Sequence, residues 1–387
     1  MKNNFLVRKI ACNNLKQELY SIGFDENYLN VAKDKYEHNL FKIFNLTPVQ
    51  ATILKQTALA CGTDCAVNKR VLLHDIDFSD AILVATNAQL KAIIKKLYLQ
   101  PFNLKLLAKN LADKLNQQID AYKIGDTIFD WKKTYIMGIL NCTKNSFSDG
   151  GEYFDIDKAL DRYEDIILQG ADIVDIGAES TAPESLPIEQ EKEQEKLVEV
   201  LSRCKLKNYS VPISIDTRNA KTAQRMLELG ADIINDVSGL AYDEKMAEII
   251  AKYSAFVVIC FDDFIKENTV DETLKGLMNK VDVAVSNGIS EQKIILDVGL
   301  GFNKTFEQNI TLIKCAKEFT SLGFPVLYGI SRKSFIQKIT GLIPKDTRDA
   351  NISVGSFLAS QGVNILRVHD VREHKNAFTA LDKVLYD

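Results

Sequence analysis

The chain has 387 residues, of which 26% are charged, and its formal net charge is −4. The length suits a barrel of about 250 residues with an appendage, and the charge argues against a nucleic-acid or anionic-membrane partner. No apolar stretch approaches the roughly 20 residues of a membrane span. Arg8 and Lys9 interrupt the first apolar residues, unlike a signal peptide, and seven irregularly spaced cysteines are typical of reduced thiols. We therefore expect a cytoplasmic protein.

Residues 1–119 are predicted to form a smaller mixed α/β domain that is not catalytic. Thr47 and Pro48 are typical of a helix start, 81–86 has the composition of a strand, and helices are predicted at 87–98 and about 103–118. A second enzyme in this region is disfavoured, because it has no Gly-rich phosphate loop and no four-ligand zinc set.

Residues 120–134 are predicted to be a linker and a hairpin that turns at Gly125 and Asp126. We expect this hairpin to plug the bottom of a barrel formed by residues 135–387.

The region from residue 135 onward repeats a short apolar run that ends in polar residues. Such runs, separated by amphipathic segments of helix length, indicate buried parallel strands, and the polar ends correspond to the catalytic face of a (β/α)8 TIM barrel. The polar residues, in chain order, are Asn141, Asp175 with Glu179, Asp216, Asn235 with Asp236, Asp262, Asp297, Ser331 with Arg332 and Lys333, and Arg367 with His369 and Asp370. We therefore predict an α/β fold in which the barrel follows the smaller N-terminal domain.

Asp216, Asn235 and Asp297 end the third, fourth and sixth of these runs. Two carboxylates and a carboxamide suit a flat heterocycle that displays an amino group and a ring N–H beside an oxo group, as guanine-like and pterin-like rings do. The alternative is that each side chain caps the helix that follows its strand. Three such residues at one end of a barrel favour the binding site.

Basic residues end the last two runs. Arg367 and His369 are two residues apart on one strand and so lie on the same side, next to Arg332 and Lys333. This cluster predicts a site for an anionic substrate group, whereas an isolated basic pair would more often be solvated. The polar loop 141–151, after the first strand, has the composition of an active-site lid or of a plain surface loop.

Seven sequence blocks together resemble the dihydropteroate synthases. They are IMGILN…SFSDGG, GADIVDIGAEST, SIDTR, GADIINDVSG, ILDVGLGFNKT, GISRKSF and RVHDV, in family order from about residue 124 to the end. The resemblance implies an alkyl-group transferase that joins 4-aminobenzoate to 6-hydroxymethyl-7,8-dihydropterin diphosphate and releases diphosphate with Mg²⁺. It also implies a homodimer.

The resemblance assigns roles by motif position. Asp216, Lys333, Arg367 and His369 are the expected catalytic residues, and Asn141 is the expected Mg²⁺ ligand. The expected substrate-binding residues are Asp216, Asn235, Asp297, Phe302, Ser331 and Lys333 for the pterin side, with Thr181, Arg367, His369, Phe147 and Asp149 toward the diphosphate and 4-aminobenzoate. Loops 142–153 and 179–187 are expected to close over the second substrate.

The chain departs from the family pattern at four places. Ala182 stands at the position of a loop Arg, residues 143–145 replace Thr-Pro-Asp, Val298 replaces a proline, and FDDF (261–264) replaces a Met-His-Met segment. Lys144 is a hypothetical substitute for the missing loop cation, although a lysine lacks the planar fork of arginine. A pterin-binding pseudoenzyme or regulatory subunit, and a corrinoid-dependent methyltransferase, are the alternative functions.

Overall fold

The computed structural model of the chain describes residues 7–9, 15–142, 155–177 and 190–386. It divides into two units, Met1–Gln118 and Ile119–Asp387. None of the helices within these described ranges is both long and apolar enough to cross a bilayer.

The first unit contains a three-stranded antiparallel sheet in the order β1-β3-β2. Its strands are β1 (His38–Leu46), β2 (Asp64–Val67) and β3 (Ser79–Thr86), and its helices are α1 (Leu15–Ser21), α2 (Leu29–Tyr36), α3 (Pro48–Leu59), α4 (Asn87–Leu97) and α5 (Leu104–Asn116). Thr47 caps α3 in a capping box with Gln50, as its sequence predicts. Strand β1 was not predicted, although its residues alternate in burial with the period of a strand.

The second unit contains a closed barrel of eight parallel strands, so the predicted (β/α)8 fold is confirmed. The barrel strands are β6 (Tyr135–Asn141), β7 (Ile173–Gly177), β8 (Ile213–Asp216), β9 (Ile233–Asp236), β10 (Phe256–Cys260), β11 (Ile294–Asp297), β12 (Val326–Gly329) and β13 (Ile365–Val368). A short hairpin, β4 (Tyr122–Ile124) and β5 (Thr127–Phe129), precedes them and turns between residues 124 and 127.

The helices of the second unit lie in the segments that separate or follow the barrel strands. They are α6 (Ile156–Leu168), α7 (Gln190–Leu206), α8 (Ala220–Glu228), α9 (Met246–Tyr253), α10 (Thr269–Ser286), α11 (Phe306–Lys314), α12 (Ala316–Thr320), α13 (Ser334–Thr340), α14 (Arg348–Ser360) and α15 (Val371–Tyr386). The amphipathic segment 306–321 forms two helices rather than one, because it is interrupted at Cys315, where α11 ends and α12 begins.

The barrel interior is layered because alternate residues of each strand point inward. Toward the amino ends of the strands the layer is apolar, and the hairpin contributes to it. Its members are Tyr122, Ile124, Phe129, Tyr135, Met137, Ile173, Ile233, Phe256, Val258, Ile295, Leu327 and Ile365. Two residues further along four of the strands the inward positions are polar, namely Asp175, Asn235, Asp297 and Arg367. The apolar layer therefore supports a polar layer at the carboxyl ends.

A glycine in the middle of α10 makes room for an aromatic ring that directly follows the fifth barrel strand. A Cβ built on Gly276 would lie 2.1 Å from Cε2 of Phe261, and this phenylalanine is almost fully buried. Glycine inside a helix costs about 1 kcal/mol relative to alanine. The chain tolerates that cost because the ring occupies the space that a side chain would need.

We expect Gly276→Ala to lower the free energy of unfolding by about 1–3 kcal/mol despite the better helix propensity of alanine, because it overpacks a buried contact. Urea denaturation of the purified variant measures this. The double variant Gly276→Ala/Phe261→Ala is the control, and it should be more stable than Phe261→Ala alone. If Gly276→Ala by itself stabilises the chain, the contact with Phe261 does not limit this position.

Candidate active site

Five charged or amide side chains form a polar layer at the carboxyl ends of the barrel strands. They are Asp175 on β7, Asp216 on β8, Asn235 on β9, Asp297 on β11 and Arg367 on β13. Asp216 and Asn235 are paired in register on adjacent strands, whereas Asp175 is paired with Ser214, two residues before Asp216. Because alternate residues of each strand face the barrel interior, residues that are far apart in the sequence form one cluster there.

Arg367 links two carboxylates across this layer. Its Nε donates to Oδ2 of Asp175 at 2.6 Å, and its Nη2 donates to Oδ2 of Asp216 at 2.7 Å. Burial by itself lowers the pKa of Arg367, but the charges of the two carboxylates outweigh that effect and raise it. The guanidinium is therefore a permanent cation in a fixed orientation.

Asn235 is oriented by the same network. Its Nδ2 donates to Oδ2 of Asp175 at 3.1 Å. This contact fixes which side of the amide carries the nitrogen and leaves Oδ1 of Asn235 as an acceptor. Asp175 is fully buried, and its Oδ1 has no hydrogen-bond partner among the described residues. A buried carboxylate oxygen without a donor is costly, so this region of the layer suits a group that brings N–H or O–H donors.

Asp297, Phe302 and Lys333 form the next part of the site. Oδ1 of Asp297 accepts from the backbone N–H of Gly299 at 2.8 Å, and Nζ of Lys333 lies 4.3 Å from the centre of the Phe302 ring. Burial raises the pKa of Asp297 and lowers that of Lys333, while each charge partly offsets the effect on the other. The two groups therefore depend on each other for their charged forms.

Gly329 leaves open space beside these side chains. It is paired in register with Arg367 on the adjacent strand, and a Cβ built on it would meet no atom within 4 Å. The absence of a side chain here leaves room at the mouth of the barrel, which a flat ring could occupy.

His369 and Ser331 lie next to Arg367 at the end of the last strands. Oγ of Ser331 accepts from the backbone N–H of His369 at 3.3 Å and lies 3.0 Å from Nδ1 of the ring. The hydroxyl hydrogen is then left for Nδ1, so the network assigns the ring proton to Nε2. Burial, and then the charges of Arg332 and Arg367, lower the pKa of His369 to about 3. The imidazole is therefore a neutral donor.

We expect the low pKa of His369 to reduce the free energy of unfolding as the pH falls. Its folded pKa lies below the roughly 6.5 of an unfolded histidine, so the unfolded chain takes up the proton first as the pH falls. Between about pH 6.5 and 4.5 this site should lower the free energy of unfolding by up to about 1.4 kcal/mol per pH unit. His369→Gln should lose that slope in urea denaturation at several pH values, whereas His38→Gln, at an exposed position, should keep it. Equal slopes in wild type and His369→Gln would contradict the prediction.

The structure brings most of the predicted site residues together. Asp216, Asn235, Asp297, Phe302, Ser331, Lys333, Arg367 and His369 all lie at the carboxyl end of the barrel, and Asn141 ends β6 at the same end. Thr181, Phe147, Asp149, Lys144 and Ala182 lie outside the described residues, as do most of the two predicted loops. Among the described residues no three His, Cys, Asp or Glu side chains are grouped as a metal site.

Three residues of the site were given no role from the sequence. Asp175 was placed among the polar strand ends, and its position on the inward side of β7, two residues before Gly177, could have marked it as a site residue. Arg162 donates to the backbone carbonyl of His369 at 2.8 Å, and Lys304 donates to the carbonyls of Phe261 and Phe302. Their sequence contexts carry no signal for those contacts, which only the folded chain creates.

A separate cavity of about 230 Å³ lies at the opposite end of the barrel, beside the amino ends of β9 and β10. It is lined by Lys123, Asp232, Tyr253 and Lys293 among others. None of the predicted site residues belongs to it. The concentration of buried, mutually bonded polar groups favours the carboxyl end as the active site.

Comparison with known proteins agrees with this assignment. Residues 137–369 match the family model of pterin binding enzymes. The dihydropteroate synthase of Bacillus subtilis is 37% identical over 256 residues, which cover 66% of this chain and 90% of that protein.

Solved structures give the same result. A dihydropteroate synthase from Clostridium difficile, determined in the presence of pteroic acid, has a TM-score of 0.63 and 38% identity, covering 68% of this chain and 98% of that one. A dihydropteroate synthase from Xanthomonas albilineans with 4-aminobenzoic acid has a TM-score of 0.66 and 29% identity, covering 70% and 100%. The chain therefore belongs to the pterin-binding enzymes and, within them, to the dihydropteroate synthases.

Proposed function

We propose that the polar layer of the barrel joins 4-aminobenzoate to 6-hydroxymethyl-7,8-dihydropterin diphosphate, giving 7,8-dihydropteroate and diphosphate. The observation that carries this is the fixed network of Asp175, Asp216, Asn235 and Arg367 beside Asp297 and Lys333. Its acceptors and donors match the amino, ring N–H and oxo groups of a pterin edge.

The pterin ring binds through the buried polar side chains in this proposal. Oδ1 of Asn235 and the carboxylate of Asp297 accept from the amino group and ring N–H, while Lys333 donates to the oxo edge. The ring of Phe302, already in contact with Lys333, covers one face of the heterocycle. A ligand of this kind also supplies donors near the unpartnered Oδ1 of Asp175.

The diphosphate binds toward the basic end of the layer. Arg367 supplies a fixed cation, and Ser331 holds the His369 ring so that its Nε2–H can donate to a phosphate oxygen. Thr181 is proposed as a further contact on the basis of its motif alone. The neutral state of His369 makes it a donor that does not need to lose a proton during the reaction.

The reaction requires cleavage of the bond between the pterin methylene carbon and the diphosphate oxygen. The electron pair leaves with the diphosphate, whose developing charge Arg367 stabilises, and the carboxylate of Asp216 faces the positive charge that develops on the pterin. The amine nitrogen of 4-aminobenzoate then bonds to the methylene carbon and releases one proton to solvent. Since a neutral aromatic amine attacks, positioning and electrostatics supply most of the rate enhancement.

Mg²⁺ is proposed to act with the diphosphate. Asn141 offers one amide oxygen at the end of β6, and the described residues provide no cage of carboxylates around it. That donor set fits an ion which keeps several waters and binds mainly through substrate phosphates. Bound there, the ion would neutralise charge on the leaving group.

The remaining expectations stay part of the proposal. Phe147, Asp149 and the loops 142–153 and 179–187 are proposed to enclose 4-aminobenzoate, with Lys144 in place of the cation missing at Ala182. A homodimer is expected from the resemblance, and a cytoplasmic location from the composition and cysteine usage. Light scattering on the purified chain would test the dimer. The N-terminal unit is proposed to be non-catalytic.

The experiment is to measure diphosphate release with the pterin diphosphate and Mg²⁺, in the presence and absence of 4-aminobenzoate. Aminobenzoate-dependent release with pteroate formation is expected, and Asp216→Asn should lower kcat by roughly 100-fold or more because it removes the charge facing the cation. Tight pterin binding without turnover would instead indicate a pseudoenzyme. Failure to bind the pterin would overturn both assignments.

A further inference from the structure

A second lysine, Lys304, joins two loops at the mouth of the barrel. Its Nζ donates to the backbone carbonyl of Phe261 at 2.6 Å and to that of Phe302 at 3.0 Å. Phe261 follows the strand β10, and Phe302 lies in the loop after β11. One side chain therefore connects the ends of two neighbouring strands.

The environment of this ammonium group is unusual for a lysine. No carboxylate within the described ranges forms an ion pair with Lys304, and its Nζ lies 4.9 Å from the centre of the Phe261 ring. Burial lowers its pKa. Desolvating a charge in this way is costly unless hydrogen bonds compensate, so the two carbonyl contacts are what holds the group in place.

The loop that Lys304 holds is tightly wound around Phe302. Gly299 and Gly301 have φ angles of +69° and +80°, and the N–H of Phe302 donates to the carbonyl of Gly299 at 3.2 Å. A Cβ on Gly301 would lie 3.1 Å from Cδ of Lys333. The loop thus packs directly against Lys333 and turns the ring of Phe302 toward its ammonium group.

We propose that Lys304 is a positioning residue for the pterin subsite, acting through Phe302. By fixing the Phe302 carbonyl against the end of β10, it sets the distance between the Phe302 ring and Lys333, both of which face the pterin in the proposed function. The inference rests on that proposed function, and it adds a residue that does not itself touch the substrate.

Lys304→Met tests this inference in the full chain. Because it removes two charge-assisted hydrogen bonds, we expect KM for the pterin diphosphate to rise about tenfold or more, with KM for 4-aminobenzoate changed less than about twofold. Lys304→Arg, which retains a cation and donors, should recover part of the loss. Lys338→Met is the matched control, since its Nζ also lies over a phenylalanine ring, at 4.7 Å, but on α13 outside the site.

A double-mutant cycle with Phe302→Leu separates positioning from general stability. If Lys304 acts through the ring, the two substitutions should be clearly less than additive in the dissociation constant for 6-hydroxymethyl-7,8-dihydropterin diphosphate. Additive effects, or equal rises in KM for both substrates, would overturn the inference. If Lys304→Met does not fold, the same double-mutant cycle is measured with Lys304→Arg and Phe302→Leu and is interpreted by the same criterion. Because the binding measurement needs no turnover, it stays informative if synthesis itself is not observed.

Discussion

Replacement of Arg367 by methionine should lower the free energy of unfolding by about 3–5 kcal/mol, the range for breaking a buried ion pair on one side. The side chain of Arg367 is only 17% exposed, and its removal leaves the carboxylates of Asp175 and Asp216 facing each other without their shared donor. The same change should lower kcat/KM by roughly 100- to 1000-fold, because it removes a preorganised cation. Urea denaturation and steady-state kinetics measure the two effects.

The double variant Arg367→Met/Asp175→Asn separates two contributions to the loss of stability, a buried carboxylate that has lost its cation and the loss of packing. It should regain part of the stability, since one of the two carboxylates that lost Arg367 has become neutral, but none of the activity. Arg332→Met is a matched control: Arg332 pairs with Asp370 at 3.5 Å and its side chain is 40% exposed. We expect that variant to lose less than about 1 kcal/mol. An Arg367→Met protein as stable as Arg332→Met would show that the network contributes little.

The barrel could be predicted from sequence because each of its strands is a continuous apolar run that ends in a polar residue. The runs leading to Asp216, Asn235 and Asp297 all became strands with those residues at their carboxyl ends. Gly170 and Gly230 follow α6 and α8 and have φ angles of +96° and +91°, which glycine adopts readily at the end of a helix. Both signals are local, so a single sequence contains them.

The contacts between side chains could not be predicted in the same way. Arg367 and Asp216 are 151 positions apart, and their hydrogen bond depends on closure of the barrel. The sequence placed Arg367 near a predicted anionic group, but it did not predict that Nε and Nη2 of Arg367 also donate to two carboxylates. Lys304 shows the same limit, because its partners are backbone carbonyls, which no residue pattern records. The position of Lys304 follows only from the three-dimensional loop.

Lys333 should control both the affinity for the pterin and its dependence on pH. Loss of one charge-assisted hydrogen bond corresponds to about 1.5–3 kcal/mol, so Lys333→Met should weaken binding of the pterin diphosphate by roughly 10- to 100-fold. The charge of Lys333 also opposes the rise in the pKa of Asp297 that burial causes. Without that charge, the pKa of Asp297 should rise further.

The direction of the pH effect follows from the role of Asp297 as an acceptor. Its carboxylate accepts from pterin N–H groups only when ionised, so binding is lost as the pH falls through its pKa. In Lys333→Met that loss should begin at a higher pH than in wild type, whereas in Asp297→Asn it should disappear. Titration of the pterin dissociation constant between pH 5 and 8 measures the shift, with Lys338→Met as the control. If the loss of binding in acid begins at the same pH in Lys333→Met as in wild type, Lys333 and Asp297 are not coupled. The charge of Asp297 would then be maintained by Arg367 and Lys304, whose charges also lower its pKa.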